Sequence, residues 1–407
     1  MQSDDIGLVD PASPEYWHDI HGALAPLREQ WPVVRSTAGD FEVLRYEHVQ
    51  PLLRDARLTQ AVKRMLTNQG ITSGPLHEWF ELIMTAMDPP DHTRLRSLVG
   101  RALTPRQVER VRADIVEITN ALLDRIAREG ADDVEVLDGI CNELPLAVLC
   151  RLLGISDEDR AIVEQWTVTV GLSFTAQIPA DLLPRIEQAI TDFDAYSSAM
   201  IDRRRANPGD DLFTALVQAE ESGDRLSRVE LQALVINLLF AGHDTTRSML
   251  AICLWLLATH PDQTAFLRED PDRIPVAVEE MVRYEPIISG IPRIPTVDLD
   301  IAGVRVPAGS YVTLSVPSAN RDPRAFSAPD RLDVLRPDAH RHLGFGLGAH
   351  FCVGANVARA ELREAVRIVL ERCRVIEART EPVWQPYAAS RRFESLSMRF
   401  EVGPRRS

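Results

Sequence analysis

Apolar residues recur at three- and four-residue intervals through most of the chain between residues 91 and 286, which predicts a nearly continuous series of helices. The strongest of these segments opens at Ser227-Arg228-Val229-Glu230, a capping box of serine and a glutamate three residues on. It extends to about Ala258, where His260-Pro261 stops it. Two stretches change period. Residues 32–46 read as a hairpin around Ala38-Gly39-Asp40, and residues 297–316 alternate apolar with polar positions between turns at Ala302-Gly303 and Pro307-Ala308-Gly309. Helices through most of the chain, with small sheets near the N-terminal region and in the C-terminal third, predict a mainly α, α+β fold. No repeat, low-complexity tract or long linker interrupts the pattern, so a single domain over residues 1–407 is expected.

Composition narrows the function. The net charge of −15 argues against a general nucleic-acid binder, whose footprint is basic. Cys141, Cys150, Cys253, Cys352 and Cys373 are odd in number and scattered, which suits a reducing compartment better than a disulfide framework. The N-terminus offers neither a basic stretch nor an apolar one, so no signal peptide is visible. The most apolar segment, 231–259, is broken by His243, Asp244 and Arg247, which a membrane span rarely tolerates. A soluble cytoplasmic protein, bound neither to membrane nor to nucleic acid, is expected.

Chemistry concentrates in Phe345-Gly346-Leu347-Gly348-Ala349-His350-Phe351-Cys352-Val353-Gly354. Glycines permit positive φ and close approach of backbone to a flat ligand. A cysteine just before a helix has its thiolate favoured by the macrodipole and by free N–H groups. An inert loop is the plain alternative. Zinc is another, because His340, His342 and His350 lie near Cys352, although no second cysteine accompanies them. Within the long helix, Ala241-Gly242-His243-Asp244-Thr245-Thr246 places an acid and two threonines among apolar residues. The Thr245 hydroxyl is in reach of the Ala241 carbonyl four residues back, and Gly242 weakens the same turn, which predicts a locally opened, polar notch. Glu280 and Arg283 are three apart on a helix ended by Glu285-Pro286, and His92 and Arg96 share a helix face after Asp88-Pro89-Pro90-Asp91.

The cysteine window resembles the heme-binding loop of the cytochrome P450 monooxygenases, with Phe345, Gly346, Gly348, His350, Cys352 and Gly354 filling the family pattern. The resemblance spans about Asp88 to Gly354, with the motifs in the expected order. It implies a triangular helical prism that binds heme b (iron protoporphyrin IX), with Cys352 as the axial ligand of the iron. His92, Arg96, Arg293 and His350 match partners of the heme propionates, although Pro295 stands two residues after Arg293 where the family more often has a small residue. Thr245 is expected to steady oxygen at the iron while Asp244 relays protons. Glu280 and Arg283 are expected to be buried with Arg336, supporting the heme loop. Arg359, Arg363 and Arg367 form a basic stripe expected on an exposed face, suited to an acidic, ferredoxin-type donor fed by NAD(P)H.

The implied reaction inserts one atom of O2 into an apolar small molecule. Trp79, Phe80, Leu82, Ile83, Met84, Val170, Leu172, Phe174, Ile287, Ile288 and Ile291 favour a steroid, terpenoid or polyketide. A peroxide-driven peroxygenase often lacks the acid and threonine kept here. A noncatalytic recruitment module is expected to lose Cys352 or the notch.

Overall fold

Both β-rich stretches enter one six-stranded sheet. Val33–Ser36 and Phe41–Val43 form the predicted hairpin, with Val33 opposite Val43 and Arg35 opposite Phe41. Phe41–Val43 pairs in parallel with Val312–Ser315, which pairs antiparallel with Gly290–Pro295; Leu8–Val9 and Leu58–Gln60 close the two edges. Gly39 turns the hairpin at φ +92°, and its N–H donates to Ser36 O at 2.9 Å. Leu299–Ile301 and Val304–Val306 make a separate ribbon through the predicted Ala302-Gly303 turn, both of whose residues have positive φ.

The computed structural model describes residues 6–103, 105–129, 132–175, 177–221, 226–385 and 391–405. The chain forms two compact units, each assembled from three separated segments. The first comprises Met1–Ala61, Ile252–Cys352 and Thr380–Leu396, and contains the six-stranded sheet. One face of that sheet packs Val33, Val43, Val312 and Leu314 with Val49, Leu53 and Leu343. The other packs Val34 and Leu44 against Tyr16, Ile20 and Leu24 of the first two helices.

The second unit comprises Val62–Ala251, Val353–Arg379 and Ser397–Ser407. Its helices Pro105–Glu129 and Ala355–Arg372 run parallel: Arg112 meets Glu364, and eight residues further along Arg372 reaches Asn120 and Asp124. Cys373–Ala378, Ser397–Val402 and Val134–Glu135 make its three-stranded sheet.

The long helix runs from Arg228 to Thr259, and its predicted capping box is present. Ser227 N–H donates to Glu230 Oε2 at 2.8 Å, and Glu230 N–H donates to Ser227 Oγ at 3.2 Å. The helix is continuous through residues 241–246, so the predicted local opening is not found. One backbone-to-hydroxyl bond did not outweigh the packing of its apolar flanks. No helix among the described residues is long and apolar enough to cross a membrane.

Candidate functional site

In the first unit, the loop before Cys352 is built by turns that only glycine makes without strain. Gly346 (φ +66°) and Gly348 (φ +74°) are both left-handed. A Cβ on Gly348 would lie 2.9 Å from Leu53 O, so backbone approach also demands glycine there. Gly346 N–H donates to Leu343 O at 2.8 Å, Phe351 N–H to Gly348 O at 3.1 Å, and Cys352 N–H to Phe345 O at 2.9 Å. These bonds fold the loop back so that Cys352 precedes the helix starting at Ala355 by one short turn, as the sequence predicted. Cys352 is half-buried, whereas Cys141, Cys150, Cys253 and Cys373 are buried. Burial pushes the Cys150 and Cys253 thiols up to about 12, away from thiolate chemistry.

Behind the loop lies the predicted ionic cluster, fully buried. Arg283 donates from Nε and Nη2 to Glu280 at 2.6 and 2.8 Å, and Arg336 Nε donates to Glu280 Oε1 at 3.0 Å. Their remaining donors hold main-chain carbonyls of Asn320, Ser327, Ala328 and Pro329. Such a cluster is tolerated in a core because every charge is paired and hydrogen-bonded. Arg293 is buried on its strand, with Nη1 donating to Gln60 Oε1 at 3.0 Å across the sheet. His350 is half-buried in the glycine loop.

The zinc alternative fares poorly at His342. Its Nδ1 accepts from Gly344 N–H at 3.0 Å and its Nε2 lies 3.2 Å from Glu279 Oε2, so both ring nitrogens are used internally, in the tautomer protonated at Nε2. Sequence reasoning missed Glu279, Asn320 and a second buried cluster, Glu285 with His21, Arg321 and Arg391. Those partners come from distant segments, and no local spacing announces them.

The second unit holds the other candidates. His92 and Arg96 lie on one side of the helix Asp91–Ala102, His92 buried and Arg96 half-buried. Burial, then the neighbouring Arg96 charge, holds the His92 imidazole below its ordinary value, while Asp88 opposes both. Arg94 leaves from another side and pairs with Glu230 at 2.5 Å, joining this helix to the capping box of the long one.

On the long helix, Leu238, Ala241, Gly242 and Thr245 are half-buried amid buried neighbours and share one helical face. Thr245 Oγ1 donates to Ala241 O at 2.6 Å, the bond the sequence predicted. Asp244 is buried, with Oδ1 3.8 Å from Arg247 Nη1, too long for a hydrogen bond. His243 is held neutral by burial, lowered to about 4, with Nε2 3.2 Å from Asn142 O.

Of the predicted apolar walls, Trp79, Phe80 and Phe174 cluster around Phe240 of the long helix. The Phe174 and Phe240 rings stack at 4.6 Å and 13°. Leu82, Leu172, Ile288 and Ile291 are half-buried, while Ile83, Met84, Val170 and Ile287 are buried.

The basic stripe differs from expectation. Arg359, Arg363 and Arg367 are half-buried, and Arg367 pairs with Glu364 and Glu371. The four-residue spacing placed them on one face, but acids on the same helix turn neutralise its far end.

The donor set of the first unit fits heme: a half-buried thiol on a glycine loop, with a buried guanidinium at Arg293 and a half-buried imidazole at His350.

The family model described as cytochrome P450 matches residues 162–275 and 274–398. Cytochrome P450 monooxygenase PikC of Streptomyces venezuelae is 36% identical over 408 residues, covering 98% of this chain and 94% of that protein. The 6-deoxyerythronolide B hydroxylase of Saccharopolyspora erythraea is 34% identical over 376 residues, covering 90% and 91%. Among solved structures, that of CalO2 matches with a TM-score of 0.91 at 30% identity, covering 98% of this chain and all of that one.

Proposed function

The chain belongs to the cytochrome P450 family and is a monooxygenase, and from that premise we propose how its residues divide the work. Residues 1–407 would act as one heme-binding domain, with the Cys352 thiolate holding the iron of heme b. His92, Arg96, Arg293 and His350 neutralise the propionates, and Phe345 and Gly346 form the ligand loop. The observation that carries this reading is the Cys352 N–H bond to Phe345 O across two left-handed glycines. It fixes the sulfur on a rigid turn instead of a mobile tether.

Bound heme supplies the redox chemistry that activates O2, and a thiolate ligand favours O–O cleavage. The protein's own share is positional. Thr245 spends its hydroxyl proton on Ala241 O, which leaves its oxygen lone pairs to accept a hydrogen bond from water in the half-buried face. Asp244, buried one residue before Thr245 with Arg247 3.8 Å away, is the acid that passes protons toward that face. The capping box and the Arg94–Glu230 pair keep the start of the long helix in place beside the helix bearing His92 and Arg96.

The substrate is an apolar small molecule, and a polyketide is favoured over a steroid or terpenoid. The half-buried Leu82, Leu172, Ile288 and Ile291 offer hydrocarbon, and a relative at 34% identity is named for hydroxylating 6-deoxyerythronolide B. Electrons come from NAD(P)H through a ferredoxin reductase and a ferredoxin-type donor, in the cytoplasm.

The ligand assignment is tested by reducing the heme-loaded protein under carbon monoxide. A far-red-shifted Soret band, absent in Cys352→Ser, is expected. Persistence of the band in that variant would move the ligand to another cysteine.

A further inference from the structure

We infer that Asn320 is a positioning residue for the Cys352 loop, acting as the hydrogen-bond acceptor that connects the Glu280–Arg283–Arg336 cluster to it. This rests on the reading of Cys352 as the heme ligand.

Asn320 is fully buried at the last position of the short helix Val316–Asn320. Two groups of the same residue face opposite ways. Its main-chain oxygen accepts from Arg283 Nη1 at 2.8 Å, and its side-chain Oδ1 accepts from Leu343 N–H at 2.8 Å. Leu343 O in turn accepts from Gly346 N–H at 2.8 Å, closing the left-handed turn, and the next bond of the loop runs from Cys352 N–H to Phe345 O. The charges at Glu280, Arg283 and Arg336 therefore reach the cysteine loop through one side-chain amide.

The orientation of that amide is fixed by its partner, because a backbone N–H requires an acceptor and only Oδ1 provides one. Nδ2 finds no acceptor among the described residues. What the position needs is a carbonyl-like oxygen, not an amide as such. This separates a positioning role from simple packing. Leucine matches asparagine closely in shape but accepts nothing. Aspartate keeps the acceptor and the shape, and burial favours its neutral, protonated form, whose carbonyl oxygen still accepts from Leu343 N–H.

Groups that orient a metal ligand typically change metal affinity by about ten- to a hundred-fold when removed. The test therefore uses heme-loaded protein and two readouts other than turnover: the Soret band of the reduced, carbon-monoxide-treated protein, and the rate of heme transfer to apomyoglobin. Asn320→Leu should shift part of the band away from its thiolate position and speed heme loss by roughly ten- to a hundred-fold. Asn320→Asp should behave like the wild type in both. If the leucine variant does not accumulate as folded protein, Asn320→Ala removes the same acceptor with less bulk and is read identically.

Wild-type band and heme retention in the acceptor-less variant overturn the inference. Equal damage in the aspartate and leucine variants overturns it too, because the loss then follows packing. Cys352→Ala, measured alongside, keeps the two levels apart. A band surviving in that variant defeats the ligand assignment itself, whereas its loss with Asn320→Leu unchanged defeats only the role of Asn320.

Discussion

Thr245 commits its hydroxyl proton to Ala241, so its contribution to catalysis must be made by the oxygen. Thr245→Ala should keep consuming NADPH but release hydrogen peroxide in place of product, because nothing then orders water in the half-buried face. Full coupling of NADPH to product in that variant would reduce the hydroxyl to a helix-packing device. Asp244→Asn keeps the shape and loses the exchangeable proton. Turnover should drop by about a hundred- to ten-thousand-fold, with a larger solvent isotope effect. Glu42 makes a separate point about a residue outside the chemistry. It lies in the sheet opposite Val34 and Thr313, and burial pushes its carboxyl up to about 7. A carboxyl whose folded value is raised contributes fully to stability below its unfolded value, near ~4.3, and progressively less as pH rises through 7. At pH ~8 the penalty for the ionised form is on the order of 4 kcal/mol. Glu42→Gln should therefore raise the thermal midpoint at pH ~8 and leave it nearly unchanged near pH ~4. Equal shifts at both pH values in calorimetry would assign the effect to packing instead.

At the scale of elements, the Glu280–Arg283–Arg336 cluster joins a helix to the irregular stretch 327–336. Arg336→Met removes one charge and strips Ser327 and Ala328 of a donor. Truncating one member of a buried ion cluster costs about 3–5 kcal/mol, so denaturant midpoints and bound heme should fall together. A stable, heme-replete methionine variant would show that Arg283 alone suffices. The elements also show where sequence reading stops. Ser227 with Glu230, Thr245 with Ala241 and Glu280 with Arg283 were legible because helical spacing brings such neighbours together. The glycines at 346 and 348 were legible because only a left-handed turn calls for them. Leu343 with Asn320, His342 with Glu279 and Glu285 with His21 were not, since each pair joins separate segments of chain. The helix around Asp244 failed in a third way. Competing preferences at Gly242 and Thr245 were visible, but their balance against apolar packing was not.

For the whole molecule, the charge of −15 opposes an acidic electron carrier, so any docking must rely on local basic groups. Arg359 and Arg363, half-buried on the helix Ala355–Arg372, are the part of the basic stripe proposed to dock the carrier, whereas Arg367 pairs with Glu364 and Glu371. Alanine at both should slow reduction by ferredoxin and weaken its salt dependence while substrate binding stays constant. Stopped-flow reduction that matches the wild type across ionic strength would place the docking elsewhere.

The interleaving of the two units governs how the polypeptide emerges from the ribosome. Each unit takes three separated segments, the last of them from the final thirty or so residues of the chain. Arg372 must be made before Asn120 and Asp124 have their partner, and Arg391 before Glu285 has one of its own. Neither unit can therefore close while synthesis is under way, and early segments wait with apolar surface exposed, the circumstance in which chaperones act. Loops of this length close slowly even where the final structure is stable. A chain terminated after Cys352 should accordingly give no protease-resistant core of either unit, although it carries most of both. A resistant fragment from such a chain would show that one unit closes without its C-terminal segments.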